Sequence, residues 1–173
     1  GSVVEGASTL TMQLVKNVFL TREKTLSRKL EEILLVYILE NQRIATKERM
    51  LEVYFNIIEW GPDVYGIGEA AQYYFQKKPS ELTFKECLFL ATIIPKPKGF
   101  MYRFDGTQQP KTFAQQQFDF LTRLMLRRQL ITPNDTLGYG QPLKITGPAR
   151  ERLQSKIRDT VVLDSLRLDE FEF

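Results

Sequence analysis

Histidine is absent from all 173 residues of the chain. Without an imidazole, the chain itself offers no base for a Ser-His or Cys-His nucleophile and no histidine ligand for a metal. The single cysteine, Cys87, has no internal disulfide partner, and its apolar helical surroundings (CLFLATII) predict a buried small side chain rather than a nucleophile. The sequence also shows no metal-ligand spacing and no glycine-rich phosphate loop.

Long hydrophobic runs are missing as well. The apolar run Ile33–Leu39 predicts a buried central helix, because a helix that crosses a bilayer needs about 20 residues. No signal peptide is recognisable. We interpret Gly1-Ser2 as appended residues in front of a start in mid-protein, and we therefore expect the chain to be a fragment of a longer protein.

The net charge of +3 is small but unevenly distributed. Between residues 96 and 128 there are seven basic side chains and two acidic ones. This bias could favour an anionic partner, although a solvated surface is the simpler explanation. Aromatic residues are plentiful, but no nucleic-acid-binding motif surrounds them, so we expect no nucleic-acid partner.

Helical periodicity and capping signals recur along the chain and predict an all-α fold. The first predicted helix ends at about Phe19, the second spans Thr25–Gln42 and the third begins after a Thr46 cap. The fourth runs from Gly66 or Gly68 through Gln76, and the fifth from the Thr83 capping box to before Pro95. The sixth runs from Pro110 or Thr112 to about Arg128, and a last one lies near Ala149–Ile157. Gly61–Asp63 predicts a turn, and Thr132–Asp135 a helix of about one turn.

Other segments are expected to be irregular or extended. Two prolines predict a basic loop at Pro95–Gly99, and Val161–Leu168 fits a short strand or an extended tail. No other segment has a convincing strand pattern. In the helix that ends near Arg128, we expect the large apolar side chains, Phe113 and Phe120 among them, to point mostly inward.

Two neighbouring polar faces are the best candidates for chemistry. Thr9, Gln13, Lys16 and Asn17 recur at helical spacing, while Arg28 and Glu32 are one turn apart with Lys29 beside them. Ammonium and guanidinium groups neutralise phosphate oxygens, so the three cations could bind an anion. Spacing alone is explained more simply if Lys16 is a solvated lysine and if Arg28 with Glu32 is an ordinary ion pair worth about 0.3–0.5 kcal/mol. Glu32 is the acid nearest to these cations. Partial burial would raise its pKa and suit it to proton transfer, whereas the adjacent cations would lower that pKa.

Several ordered motifs at these positions resemble the peptidoglycan glycosyltransferases, glycosyltransferase family 51. GASTLTMQLVKN at Gly6–Asn17 resembles the family's second motif, G-x-S-T-[IL]-[ST]-Q-Q-[LV]-x-K-N. Arg28–Glu32 with Leu39-Glu40 resembles the third, and Lys47–Asn56 the fourth. The likeness continues through Gly66–Phe75, Leu82–Ala91 and the Pro95–Pro97 loop, and is loose at Arg123–Met125.

This resemblance implies a lysozyme-like helical domain that polymerises lipid II into glycan strands and releases undecaprenyl diphosphate. The domain would act at the outer, periplasmic face of the cytoplasmic membrane, anchored by other parts of its parent, and would bind moenomycin-type inhibitors. Lys16, Arg28 and Lys29 would hold the donor diphosphate and Glu32 would assist catalysis, while Ser8, Thr9, Gln13 and Asn56 would line or support the cleft. No cofactor is implied, although a divalent cation bridging the diphosphate is compatible.

The sequence departs from the family in two places. Met12 replaces the first glutamine of the Q-Q pair, and the first motif, which carries the general-base glutamate, has no counterpart. We therefore expect a glycosyltransferase-like domain over residues 1–146, truncated at its N-terminus and inactive by itself, with a partly irregular extension over 147–173. The alternatives are a non-catalytic scaffold that binds lipid II through its diphosphate and, more weakly, a glycan hydrolase.

Overall fold

The computed structural model of the chain describes Gln13 and residues 46–158, and these residues are mostly helical and include one small sheet. The chain separates into two units, residues 1–58 and residues 59–173. The predicted helices that end near Phe19 and Gln42 lie outside the described residues, as does the extended segment Val161–Leu168.

In the first unit, helix α1 spans Lys47–Ile57. The Thr46 hydroxyl accepts a hydrogen bond from the Arg49 backbone N–H at 3.2 Å, which confirms the predicted cap. Met50 and Tyr54 lie one turn apart and are buried, whereas Leu51 is 38% exposed. The buried face of α1 is therefore narrower than its apolar residues alone indicate.

The second unit begins with a short antiparallel hairpin, β1 (Glu59–Gly61) and β2 (Val64–Tyr65). The sequence prediction of no strand in this part of the chain was wrong. The two strands of the hairpin, of three and two residues, are too short to show the alternation of apolar and polar residues that marks a strand in a sequence. A tertiary hydrogen bond supports the hairpin instead, because the buried Tyr74 hydroxyl donates to the Trp60 carbonyl at 2.8 Å.

Helices α2 (Ile67–Phe75) and α3 (Phe84–Ile93) follow, with a 3₁₀ turn at Pro79–Glu81 between them. Gly66 precedes α2 with a φ of 80°, a conformation that glycine adopts readily. The Thr83 hydroxyl accepts from the Glu86 N–H, and the Glu86 carboxylate accepts from the Thr83 N–H at 2.7 Å. This reciprocal pair confirms the predicted capping box.

Aromatic side chains fill the core of the second unit. The Tyr74 ring contacts Phe89 and Phe100 edge-to-face, with ring centroids 5.2 and 5.0 Å away. Phe100 belongs to a 3₁₀ helix over Pro97–Arg103, where a plain loop was expected. The expectation failed because Pro97 occupies the start of this helix, where a missing backbone N–H costs nothing.

Helix α4 spans Thr112–Arg127, close to its predicted bounds, but it faces the core differently from the prediction. Ala114, Phe118 and Thr122 are buried, whereas Phe113 and Phe120 are 52% and 57% exposed. The expectation that these two phenylalanines point inward was wrong. The expected burial of Cys87 was also wrong, because this side chain is exposed on α3.

The last described segment returns to the core of the second unit. After a 3₁₀ turn at Pro133–Thr136, the backbone N–H groups of Thr146 and Gly147 donate to the Tyr74 carbonyl at 3.0 and 3.1 Å. A helix, α5, follows and is described over 149–158, as predicted. Its Ala149 and Leu153 side chains are buried. The domain boundary expected at residue 146 stays a prediction.

Candidate functional site

Helix α1 positions one of the predicted cleft residues, Gln13. The Tyr54 hydroxyl donates to the Gln13 side-chain carbonyl oxygen at 2.6 Å. Tyr54 is 4% exposed, and burial raises the pKa of its phenol, which therefore stays a neutral donor at physiological pH. Gln13 is exposed, so its side-chain amide remains accessible although the amide oxygen is bound by Tyr54 of α1. This hydrogen bond joins the second family-like motif to the fourth.

Asn56, the other predicted site residue that the structure describes, lies on a different side of α1. Its amide donates to the Glu52 carbonyl at 2.8 Å, one turn back along the same helix. Glu52 also forms an ion pair with Arg49 at 2.7 Å, and these three side chains are exposed. Residues 54 and 56 project about 200° apart on a helix, so Asn56 does not join Tyr54 and Gln13. Its role in the cleft stays a prediction.

The remaining predicted site residues lie outside the described residues. They are Ser8, Thr9, Lys16, Arg28, Lys29 and Glu32. The diphosphate site and the catalytic role of Glu32 are therefore predictions based on motif spacing and resemblance alone.

A pocket of about 310 Å³ lies in the second unit, between the start of α3 and the segment around residues 138–146. Lys77 reaches both carboxylate oxygens of Glu86 at 2.8 Å at its edge. The same carboxylate caps α3, so both members of the pair have structural partners. This pair is partly buried, so breaking it would leave a poorly solvated charge, and it supplies little free charge to a ligand. We interpret this pocket as a packing feature.

Lys85, Asp119 and Tyr139 form a second polar cluster. The Lys85 ammonium donates to the Gln141 carbonyl at 2.9 Å and lies 5.0 Å above the Tyr139 ring, a cation–π contact. The Tyr139 hydroxyl donates to Asp119 at 2.6 Å. Burial lowers the pKa of Lys85, while the Tyr139 hydrogen bond lowers that of Asp119. Because every member has a partner, this network ties residues 139–141 to α3 and α4.

Neither a metal centre nor a membrane-crossing helix is found in the described residues. Among Gln13 and residues 46–158, no three acidic or cysteine side chains converge to hold a metal ion. In the same part of the chain, no helix is long and apolar enough to span a bilayer.

Sequence reasoning missed Tyr54 as the residue that holds Gln13. The motif likeness at Lys47–Asn56 gives Tyr54 no hydrogen-bonding role, and its ring occupies a buried position on the helix. The signal for its second role is chemical: a tyrosine at a core position carries a hydroxyl that requires a hydrogen-bond partner. Nothing in the local sequence identifies that partner, which is 41 residues away.

Comparisons with known proteins agree with the motifs. The family profile described as Transglycosylase matches residues 1–125 of this chain. A biosynthetic peptidoglycan transglycosylase of Paraburkholderia xenovorans is 45% identical over 100 residues, and that of Paraburkholderia phytofirmans is 44% identical over the same length. The corresponding protein of Burkholderia cenocepacia is 43% identical. The match covers 58% of this chain and only 41% of the Paraburkholderia xenovorans protein.

Proposed function

The chain belongs to the Transglycosylase family, and on that premise we propose that it is part of a peptidoglycan glycosyltransferase. The proposed enzyme polymerises lipid II into glycan strands with release of undecaprenyl diphosphate. The observation that best supports this proposal is the 2.6 Å hydrogen bond from Tyr54 to Gln13. It brings together two motifs that resemble those of the family and are distant in sequence, as a shared cleft requires.

In the proposed cleft, Lys16, Arg28 and Lys29 bind the donor diphosphate. Negative charge develops on the diphosphate as its bond to the sugar breaks, and fixed cations stabilise that charge most when water is excluded. Glu32 assists the diphosphate site or the proton transfer. Ser8, Thr9 and Gln13 line the cleft and bind the sugar–diphosphate portion, with Asn56 in support.

The general base of the proposed reaction is not supplied by these 173 residues. The family's first motif, E-D-x-x-F-x-x-H-x-G, requires a histidine, and this sequence contains none. We therefore expect the chain by itself to bind lipid II or a moenomycin-type inhibitor without forming polymer. Its place of action, in this proposal, is the periplasmic face of the cytoplasmic membrane, where lipid II is the donor and the nascent strand is the acceptor.

Strand formation from lipid II by the full-length protein tests this proposal. Polymer is expected from the wild-type protein, and Lys16→Glu should reduce it strongly because a negative charge would then face the diphosphate. Lys144→Glu is a matched control, since the same charge change is made at an exposed lysine of the second unit. Equal activity of the two variants would refute the diphosphate role of Lys16.

A scaffold function is the second candidate, because the proposed diphosphate-binding cations would serve binding even without a general base. In that case the protein would bind lipid II in wall assembly without processing it. Full-length protein that binds lipid II but forms no polymer would support the scaffold and exclude the enzyme.

A further inference from the structure

Helix α4 exposes two large aromatic side chains on the side opposite its buried face. Phe113 and Phe120 are 52% and 57% exposed, whereas Phe118 is fully buried. The exposed pair is seven residues apart, which is two helical turns, so both rings project from the same side. Single exposed apolar residues are common on protein surfaces, but two exposed aromatic rings on the same side of one helix are a candidate contact site.

Cations accompany these rings along the same helix. Arg123 follows Phe120 by three residues and Arg127 follows it by seven, so both lie on or beside the aromatic side. Arg128 comes next, and all three arginines are exposed. We call Phe113, Phe120, Arg123, Arg127 and Arg128 the aromatic-cationic face of α4.

This face carries no opposing carboxylate of its own helix. The only acidic residue in α4 is Asp119, which accepts hydrogen bonds from Tyr139 at 2.6 Å and from Gln115 at 2.9 Å. Arg123 lies close enough to lower the pKa of Asp119 but is not its main partner. Among the described residues, neither Arg127 nor Arg128 forms an ion pair, so their charge remains directed to solvent.

We propose that the aromatic-cationic face of α4 docks on an anionic lipid surface. Aromatic rings enter the boundary between headgroups and acyl chains, and arginines beside them bind lipid phosphates. Charge complementarity favours this occupant over a neutral protein groove, which would leave the arginines unpaired. α4 would lie along the surface rather than cross it, in keeping with the absence of a spanning helix among the described residues.

The inference deepens the membrane location given under the proposed function, on which it rests, and it assigns that contact to a named face. It does not depend on the cleft chemistry, because vesicles that contain no lipid II measure it alone. A failure of vesicle binding would leave lipid II binding in detergent unaffected, so the two proposals fail separately.

Co-sedimentation with lipid vesicles tests the proposal. The protein should bind vesicles that contain phosphatidylglycerol more tightly than vesicles of phosphatidylcholine alone, and added salt should weaken that binding. Each cation near an anionic surface contributes about 1 kcal/mol, so R127Q/R128Q should bind about thirtyfold more weakly. F113S/F120S should also lose most of its binding, because the interfacial aromatic contact is removed.

Two control variants carry matched changes elsewhere in the second unit. Y65S/L137S removes apolar side chains that are 51% and 74% exposed, and K78Q/K144Q removes two exposed charges. Both controls should bind as the wild type does. If they weaken binding as much as the α4 variants, the assignment of the contact to α4 is wrong. Unaltered circular dichroism of each variant ensures that the folded protein is compared.

A competing occupant is a second copy of this chain. Sedimentation velocity in the absence of lipid distinguishes it: a dimer abolished by F113S/F120S would show that the face joins protein copies and would overturn the proposal. A monomer that binds only anionic vesicles supports it.

Discussion

The substitution Tyr54→Phe tests the link between the two family-like motifs by deleting one hydroxyl group. That hydroxyl lies 2.6 Å from the Gln13 oxygen, and the ring of Tyr54 is 4% exposed. The ring packing is retained in the variant, and the exposed Gln13 amide can accept from water instead. The loss in the free energy of unfolding should therefore be about 0.5–1.5 kcal/mol, the net contribution of one neutral hydrogen bond.

Urea unfolding measures this difference, with Tyr65→Phe as the matched control. The Tyr65 ring is 51% exposed, and its backbone N–H, rather than its hydroxyl, donates to Glu69 at 2.8 Å. The control should therefore unfold as the wild type does. If Tyr54→Phe is equally stable, or if the two variants lose the same amount, the hydrogen bond to Gln13 does not contribute as described.

A pH series extends the same test. Burial raises the pKa of the folded Tyr54 phenol above its usual value of 10.0. Its contribution to stability should thus be fully present below about pH 10 and be lost as the pH rises through the folded pKa. The difference between wild type and Tyr54→Phe should be constant from neutral pH to about pH 10 and change only above it.

Three further predictions concern the second unit, each measured by urea unfolding. A Cβ on Gly147 would lie 2.6 Å from the Gln72 carbonyl oxygen, so Gly147→Ala should cost about 1–3 kcal/mol, whereas Gly140→Ala, with no atom within 4 Å, should cost little. Glu86→Gln should cost about 1–3 kcal/mol because it leaves Lys77 without its charged partner and weakens the cap of α3. The pKa of Asp119 is lowered from 3.8 in the folded protein, so its contribution to stability is present above that pH and is lost as the pH falls through the folded pKa. Asp119→Asn should therefore lose less stability than the wild type when the pH is lowered through this range. Equal stability of the two alanine variants, no loss in Glu86→Gln, or an unchanged acid profile would each contradict the respective contact.

The sequence predicts helix boundaries well where the signal is local. The Thr83–Glu86 capping box and the glycine before α2 depend on residues within one turn, so these helix starts can be predicted without knowing the tertiary contacts. The hairpin at Glu59–Tyr65 was missed because it depends on Tyr74, which is 14 residues beyond Trp60. Local propensity cannot reveal such a contact.

The faces of α4 were harder to assign for a different reason. Phe113 and Phe120 mark one apolar side of the helix, while Ala114, Phe118 and Leu121 mark another, and the two have similar periodicity. Only the packing of the fold determines which side is buried. Sequence alone is limited in the same way for the candidate cleft. The motifs predict which residue types line it, but they do not identify Tyr54 as the hydrogen-bond partner of Gln13.

Direct binding of lipid II to this chain in detergent is the measurement that tests the proposed cleft most closely. The account predicts saturable binding that Lys16→Glu abolishes and that Lys144→Glu leaves unchanged, because only the first lysine is assigned to the diphosphate. Unchanged affinity in Lys16→Glu, or an equal loss in both variants, would contradict the assignment of a diphosphate cleft to this region.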